Sequence, residues 1–524
     1  MAKFNKKRVK AAPLSPIVTA RVPKGRTHEG APGYTRTAQG ELFLLAVSNM
    51  SGEDTFYENA TSRDNRYAQL VHKVAVADPQ WTAAFLGWLR SEGNMRSASV
   101  VGALEAAKAM LAANISGSRQ LIASVLQRAD EPGEALAYWM SSYGRAIPKP
   151  VKRGVADAVA RLYTEYGLLK YDTASMGFRF ADVIDLVHPV PAAPWQGDLF
   201  KVALERRHHR DNLSIAALPM LSANADLRVA AADDASVLLN EKRLKTAGMT
   251  WEDVLSLAGS KLDKGKLWTA LIPSMGYMAT IRNLRNFDEA GVTDKVAAGV
   301  AARLSNASNV ERSRQFPFRF LAAYEQAPSL RWGHALDQAL QASLANLPAL
   351  PGRTLILVDT SASMTHRAFS ARSRMTPAKA AAVFGVALAA KGERVDLHGF
   401  ADGVFRHTVP KGASVLKQID GFVKRTGEVG HGTQIAASVR KTYDGQNRVV
   451  IISDMQTMDG AYGRGVSEAV PANVPIYGFN LNGYQHAAYA TGSENRHEFG
   501  GLTDATFRMI PLLEAGRNAQ WPWL

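Results

Sequence analysis

The 524 residues contain no cysteine. That excludes a disulfide framework, a thiolate zinc site and a cysteine nucleophile, and it suits a reducing compartment. Long apolar runs are missing too. The longest, AAAVFGVALAA from Ala380 to Ala390, falls short of the ~18–20 residues a membrane helix needs. The basic opening MAKFNKKRVKAAPLSPIVTARV starts like an export signal, but Pro13, Pro16 and Arg21 interrupt its apolar core. A soluble, cytoplasmic chain is the expectation. Hydrolase and nucleotide signatures fail as well. Ser361, His431 and Asp454 do not sit on a Gly-x-Ser-x-Gly elbow. The phrase GSKLDKGK from Gly259 to Lys266 has one residue too many between its glycines for a phosphate loop, and Leu267 follows where a hydroxyl is required.

Acidic residues are in short supply: 47 Asp and Glu stand against 62 Lys and Arg, a net charge of +15. An excess of this size favours a polyanionic partner, most often nucleic acid. The length predicts two or more domains. Residues 1–36, rich in Lys, Arg, Pro and Gly, read as a basic flexible arm. From 37 to 346, apolar residues recur at helical spacing between short breaks, as in 41–50, 67–78, 81–93, 97–113 and 153–166. Many short helices without heptads predict stacked helical hairpins of HEAT-like repeat type. After ANLPALPG, Ala345 to Gly352, strands (354–358, 394–400, 448–452, 474–479) alternate with helices (377–390, 413–422). That pattern predicts a parallel, doubly wound α/β domain over 347–524.

The strand-end phrase LILVDTSASM, Leu355 to Met364, places Asp359, Ser361 and Ser363 where such sheets bind ligands. Thr433, in the Gly-rich loop Gly427 to Thr433, and Asp454, ending the next central strand, belong to the same edge. Two carboxylates and three hydroxyls form a hard oxygen donor set suited to Mg or Mn. Basic groups are spread through the helical region: Lys149, Lys152 and Arg153 open one helix, Arg206, Arg207 and Arg210 form the densest cluster, and Arg282 and Arg285 lie on one predicted helix.

The Asp-x-Ser-x-Ser, Gly-x-Gly-Thr and strand-terminal Asp sequence resembles the metal-ion-dependent adhesion site of von Willebrand factor A domains. By that resemblance Ser361, Ser363 and Thr433 are inner ligands, with Asp359 and Asp454 supporting them through water. A helical-repeat region, then WTALIPSMGYMATIRNLRNF (Trp268 to Phe287) and QFPFRFL (Gln315 to Leu321), then an A domain, together resemble the Ro autoantigen family of TROVE-domain RNA-binding proteins. The resemblance implies a ring of HEAT-like repeats followed by the A domain, in a protein that is monomeric and not an enzyme. It implies Y RNA on the outer basic surface and the single-stranded 3′ ends of misfolded noncoding RNA in the ring hole, in RNA quality control. A tethered exonuclease such as polynucleotide phosphorylase is the implied protein partner. The family's Y RNA contact segment matches Leu169 to His188, and there Lys170 and His188 match basic and histidine positions. An arginine expected after the Lys-Tyr pair is replaced by Asp172 and Ser175 nearby, with Arg179 as the substitute candidate. The alternative is a metal-dependent protein-interaction adaptor acting through the A domain.

Overall fold

The computed structural model describes residues 12–48, 52–208, 214–371, 373–458 and 465–524. Two compact units result, and they do not follow the boundary expected near residue 346. One unites the chain up to Leu70, Gln315–Ala322 and Asp337–Leu524; the other holds Val71–Arg314 and Ala323–Leu336. Among the described residues no helix is long and apolar enough to cross a membrane.

The first unit is built on a six-stranded sheet. Its strands are β3 (Arg353–Asp359), β4 (Arg394–Phe400), β5 (Val404–His407), β6 (Arg448–Ser453), β7 (Ile476–Asn480) and β9 (Arg496–Gly500), in the order β5-β4-β3-β6-β7-β9. All neighbours run parallel except β5, which pairs antiparallel with β4. The sheet is therefore mixed rather than wholly parallel: a short turn after Phe400 folds the chain straight back, and such a turn allows only antiparallel pairing. Burial on both faces explains why β3 and β6 are almost continuously apolar. The helix Pro377–Lys391 begins at Thr376, whose hydroxyl accepts a hydrogen bond from the Lys379 amide at 3.3 Å. It lies so close to the sheet that a Cβ on Gly385 would stand 2.4 Å from Val358 Cγ2.

Residues 12–36 do not form a free arm; residues 1–11 lie outside the described residues. Strands β1 (Gly25–Arg26) and β2 (Pro32–Thr35) form a hairpin, and β2 pairs with β8 (His486–Ala487) to make a second, three-stranded sheet. The Ser15 and Thr19 amides donate to Gly492 O and Thr491 O at 3.1 and 3.4 Å. Backbone pairing thus contributes to ordering this segment. The following helix, Ala38–Ser48, is buried around nearly its whole circumference. Such a helix must be covered on all sides, and the Gly483 and Gly500 backbones come close enough that a Cβ would meet Leu44 at 2.7 and 2.6 Å.

The second unit is helical throughout, with successive helices packed on one another. The helix Pro79–Ser91 shows the local logic. Asp78 accepts from the Trp81 amide, proline occupies the first turn, and Trp81, Phe85, Trp88 and Leu89 form the buried stripe. Thr164, Thr250, Asp263 and Asn306 cap later helices in the same way. One buried polar cluster centres on Glu105, 1% exposed. Its carboxylate accepts from Tyr138 Oη at 2.6 Å and Tyr143 Oη at 2.5 Å, and lies 2.6 Å from His72 Nε2.

Candidate cation site and candidate RNA-contact residues

All five residues of the predicted cation site gather at the carboxyl edge of the central strands, and all are buried. Asp359 ends β3. Just beyond it, the Thr360 amide and hydroxyl both donate to Phe400 O, at 2.8 and 2.9 Å, which locks the loop to β4. The Ser361 amide donates to Asp359 Oδ1 at 2.9 Å, and the Ser361 and Ser363 hydroxyls are 3.2 Å apart. The other carboxylate oxygen, Asp359 Oδ2, accepts from Ser453 Oγ at 2.5 Å. Ser453, the last residue of β6, thus orients one predicted ligand and immediately precedes another.

Thr433 arrives on its glycine-rich loop. Asp402 holds that loop by accepting from the His431 and Gly432 amides at 2.9 and 3.1 Å, and these two bonds keep its carboxyl below the usual carboxylate range. Gly430 has a φ of +94°, a conformation suited to glycine. The loop joins the serine loop through Ala362 N to His431 O at 2.9 Å. Neither Ser453 nor Asp402 was singled out from the sequence. Asp402 carries the same signal as Asp359, an acid just past a strand.

Asp454 is 0% exposed. Its Oδ1 accepts from the Gln456 amide at 3.0 Å, whereas its Oδ2 is buried with no hydrogen-bond partner. Burial pushes the Asp359 carboxyl above its ordinary range. Burial first, and then the neighbouring Asp359 charge, pushes Asp454 up as well. An orphaned carboxylate oxygen in a buried site is costly unless something positive faces it. Among the described residues no third carboxylate, imidazole or thiol completes a conventional ligand cluster. The remaining donors are hydroxyls, and this all-oxygen set fits a hard divalent cation.

The predicted RNA contacts fall into two groups. Lys149, Lys152 and Arg153 occupy the first turns of the helix Lys149–Leu162, where no side chain caps the free amides. Among the described residues they form no ion pair, and neither does Arg282, which is exposed. Other cations are already engaged. Arg179 pairs with Asp172 at 2.7 Å, Arg206 reaches the same carboxylate at 4.0 Å, and Arg207 pairs with Asp182 at 2.9 Å. Arg285 pairs with Glu289 at 2.7 Å on an exposed face. Arg210 lies outside the described residues. Lys170 stands over the Tyr166 and Tyr171 rings at 5.5 and 5.3 Å. His188 is exposed and ends the helix Phe180–Val187 in a left-handed conformation, φ 48°.

Arg282 and Arg285 are not on one helix. The helix Tyr277–Arg282 stops at Asn283, and a new one, Leu284–Glu289, begins. The Asn283 side chain competes for the helical carbonyl, donating to Ala279 O at 2.8 Å.

Residues 226–332 match the TROVE domain, and residues 354–456 match the von Willebrand factor type A domain. The telomerase protein component 1 of Mus musculus is 40% identical over 83 residues, which is 16% of this chain and 3% of that protein. Its Rattus norvegicus counterpart is 39% identical over 83 residues, with the same coverage. The chain therefore spans only a small part of the length of these relatives. The crystal structure of the Deinococcus radiodurans Ro (RSR) protein superposes with a TM-score of 0.60 over 92% of this chain and 100% of that one, at 16% identity. At that identity the likeness establishes the fold.

Proposed function

We propose, from the premise that the chain is a TROVE and von Willebrand factor A protein of the Ro family, that it binds small structured noncoding RNA of the Y RNA kind and the single-stranded 3′ ends of misfolded RNA. Capture is electrostatic and steric, and the reading contains no catalytic step. The observation that carries it is the crowding of Lys149, Lys152 and Arg153 at the amino end of a helix, with no ion pair to an acid among the described residues. The helix dipole disfavours cations there, so stability does not account for them. Free amides and three cations together suit a phosphate backbone. The A domain, in this reading, holds Mg or Mn among Asp359, Ser361, Ser363, Thr433 and Asp454. When bound, that ion supplies the positive charge that the orphaned Asp454 oxygen lacks.

The test is to crosslink and sequence RNA bound to the protein in its native cell, beside a Lys149/Lys152/Arg153→Glu variant. One abundant structured RNA, depleted in the variant, is expected. Copurification of an exonuclease such as polynucleotide phosphorylase, lost on RNase treatment, would extend the reading to RNA turnover. No enrichment of any RNA over background would overturn it and favour the protein-interaction adaptor.

A further inference from the structure

The five candidate ligands are 0–2% exposed, so an acidic group from outside would have to reach them through whatever covers the site. One segment beside the site is the turn of the amino-terminal hairpin. Its geometry is tight: the Thr27 amide donates to Ala31 O at 2.9 Å, the Gly30 amide to Thr27 O at 3.0 Å, and Gly30 has a φ of +95°. The turn is fastened to the loop that follows Asp454. Thr27 Oγ1 donates to Thr457 O and the His28 amide donates to Gln456 Oε1, both at 2.8 Å.

Glu29 projects from that turn, and its Oε1 accepts a hydrogen bond from the Tyr57 hydroxyl. Tyr57 is held in turn by stacking on His28, with ring centroids 4.7 Å apart. The same Tyr57 hydroxyl stands beside Ser363 and within electrostatic reach of Asp454. The Glu29 charge also acts on both Asp359 and Asp454. Glu29, half-buried, thus sits on the turn fastened beside Asp454 and is linked through Tyr57 toward Ser363. Among the described residues none of these three carboxylates is in an ion pair, and one buried oxygen, Asp454 Oδ2, makes no hydrogen bond. Like charges gathered in low dielectric repel strongly. A divalent cation removes that repulsion, and a carboxylate is a natural ligand for such an ion.

We propose that Glu29 is a built-in acidic ligand of the A-domain cation site, aligned by Tyr57, so that the bound ion fastens the hairpin to the sheet edge and its outward face is occupied by the chain itself. This rests on the reading of the strand-end cluster as a divalent cation site. Recruitment of an external acidic partner to the ion would then require Glu29 to be displaced.

The experiment uses the full chain, stripped with chelator, and Mn2+ as the probe of affinity, with Tb3+ emission lifetimes in H2O and D2O as the count of metal-bound water. Glu29→Gln, with melting checked against the parent, is expected to weaken Mn2+ binding about tenfold or more and to add one water to the bound Tb3+. Tyr57→Phe, which keeps the ring and deletes the hydroxyl, is expected to weaken binding less. Ser363→Ala is expected to abolish it. Unchanged affinity and hydration in Glu29→Gln would overturn the role of Glu29 while leaving the cation site intact. Mn2+ binding that survives in Ser363→Ala would place the ion elsewhere and overturn the proposal. No Mn2+ binding by the parent chain would remove the cation site itself.

Discussion

Arg36 and Glu498, 462 residues apart in sequence, form a buried two-pronged ion pair, with Nε to Oε2 at 2.7 Å and Nη2 to Oε1 at 2.6 Å. The side chains are 0% and 1% exposed. Further hydrogen bonds brace it: Arg36 Nη1 donates to Tyr484 O and Gln485 O, and Glu498 Oε1 also accepts from Asn480 Nδ2 at 3.0 Å. The pair joins the end of the amino-terminal hairpin to β9. Removing one partner leaves a buried charge uncompensated, so Arg36→Ala is expected to cost about 3–5 kcal/mol. The Arg36→Met/Glu498→Leu double variant is expected to cost less than the two single changes summed, because no charge is then stranded. Urea denaturation of the parent, Arg36→Ala, Arg36→Met, Glu498→Leu and the double variant checks both statements.

Glu105 makes the corresponding prediction for the helical unit. Its side chain is 2% exposed and meets Tyr138, Tyr143 and His72 together. Burial, aided by the Glu105 carboxylate, drives both tyrosine hydroxyls well above their ordinary range, so they stay neutral donors. Glu105→Ala strands these groups and opens a cavity, and is expected to destabilise by about 3 kcal/mol or more. Tyr138→Phe deletes one donor and is expected to cost ~1–2 kcal/mol. Thermal melting ranks the two, and equal effects would show that the cluster does not depend on the carboxylate.

The legible parts of this chain are those whose signal is local. β3 and β6 read as buried strands because each is a run of aliphatic residues. The candidate cation-site residues were legible because Asp359 and Asp454 each close such a run. β9 was not, since its sequence, Arg-His-Glu-Phe-Gly, is fully buried yet mostly polar. Each polar side chain there is satisfied from far away. Arg496 donates to Ser467 O and Val474 O, His497 pairs with Ser15, and Glu498 meets Arg36. For the same reason Glu29 and Tyr57 gave no signal, and the arm that carries Glu29 looked free. The pairing of Arg179, Arg206 and Arg207 with Asp172 and Asp182 was equally hidden, since charges read along a sequence do not show which are already neutralised.

His497 provides a pH-dependent contrast. It is 1% exposed, its Nδ1 lies 2.9 Å from Ser15 Oγ, and its ring stacks on Tyr477 at 5.6 Å. Burial first, and the neighbouring Arg496 charge second, push its pKa down to about 4 from 6.5. The neutral ring is thus favoured in the folded chain. Its contribution is complete above 6.5 and is lost as pH falls toward 4, which amounts to ~3 kcal/mol. His497→Gln is expected to flatten stability between those two pH values relative to the parent. The difference between the two curves is the informative quantity, because Asp359 and Asp454, raised by burial, slope the opposite way in both chains. An imidazole resonance titrating near its ordinary value would contradict the assignment.

The free and the engaged cations of the helical unit are expected to differ in their salt response. Each phosphate contact contributes about 0.7–0.9 to the slope of log affinity against log salt. Lys149, Lys152 and Arg153 have no acid to release before meeting a phosphate, so their triple replacement by Ala is expected to lower that slope by about 2–3. Arg206 and Arg207 face Asp172 and Asp182, and a phosphate must compete with those carboxylates for them. Their double replacement is expected to change the slope by less than one contact each. Anisotropy titrations of a labelled structured RNA over a range of salt concentrations measure both slopes. A larger loss from the Arg206/Arg207 pair would mean that RNA breaks those ion pairs on binding. The contact surface would then lie around the 169–188 segment rather than at the start of the helix Lys149–Leu162.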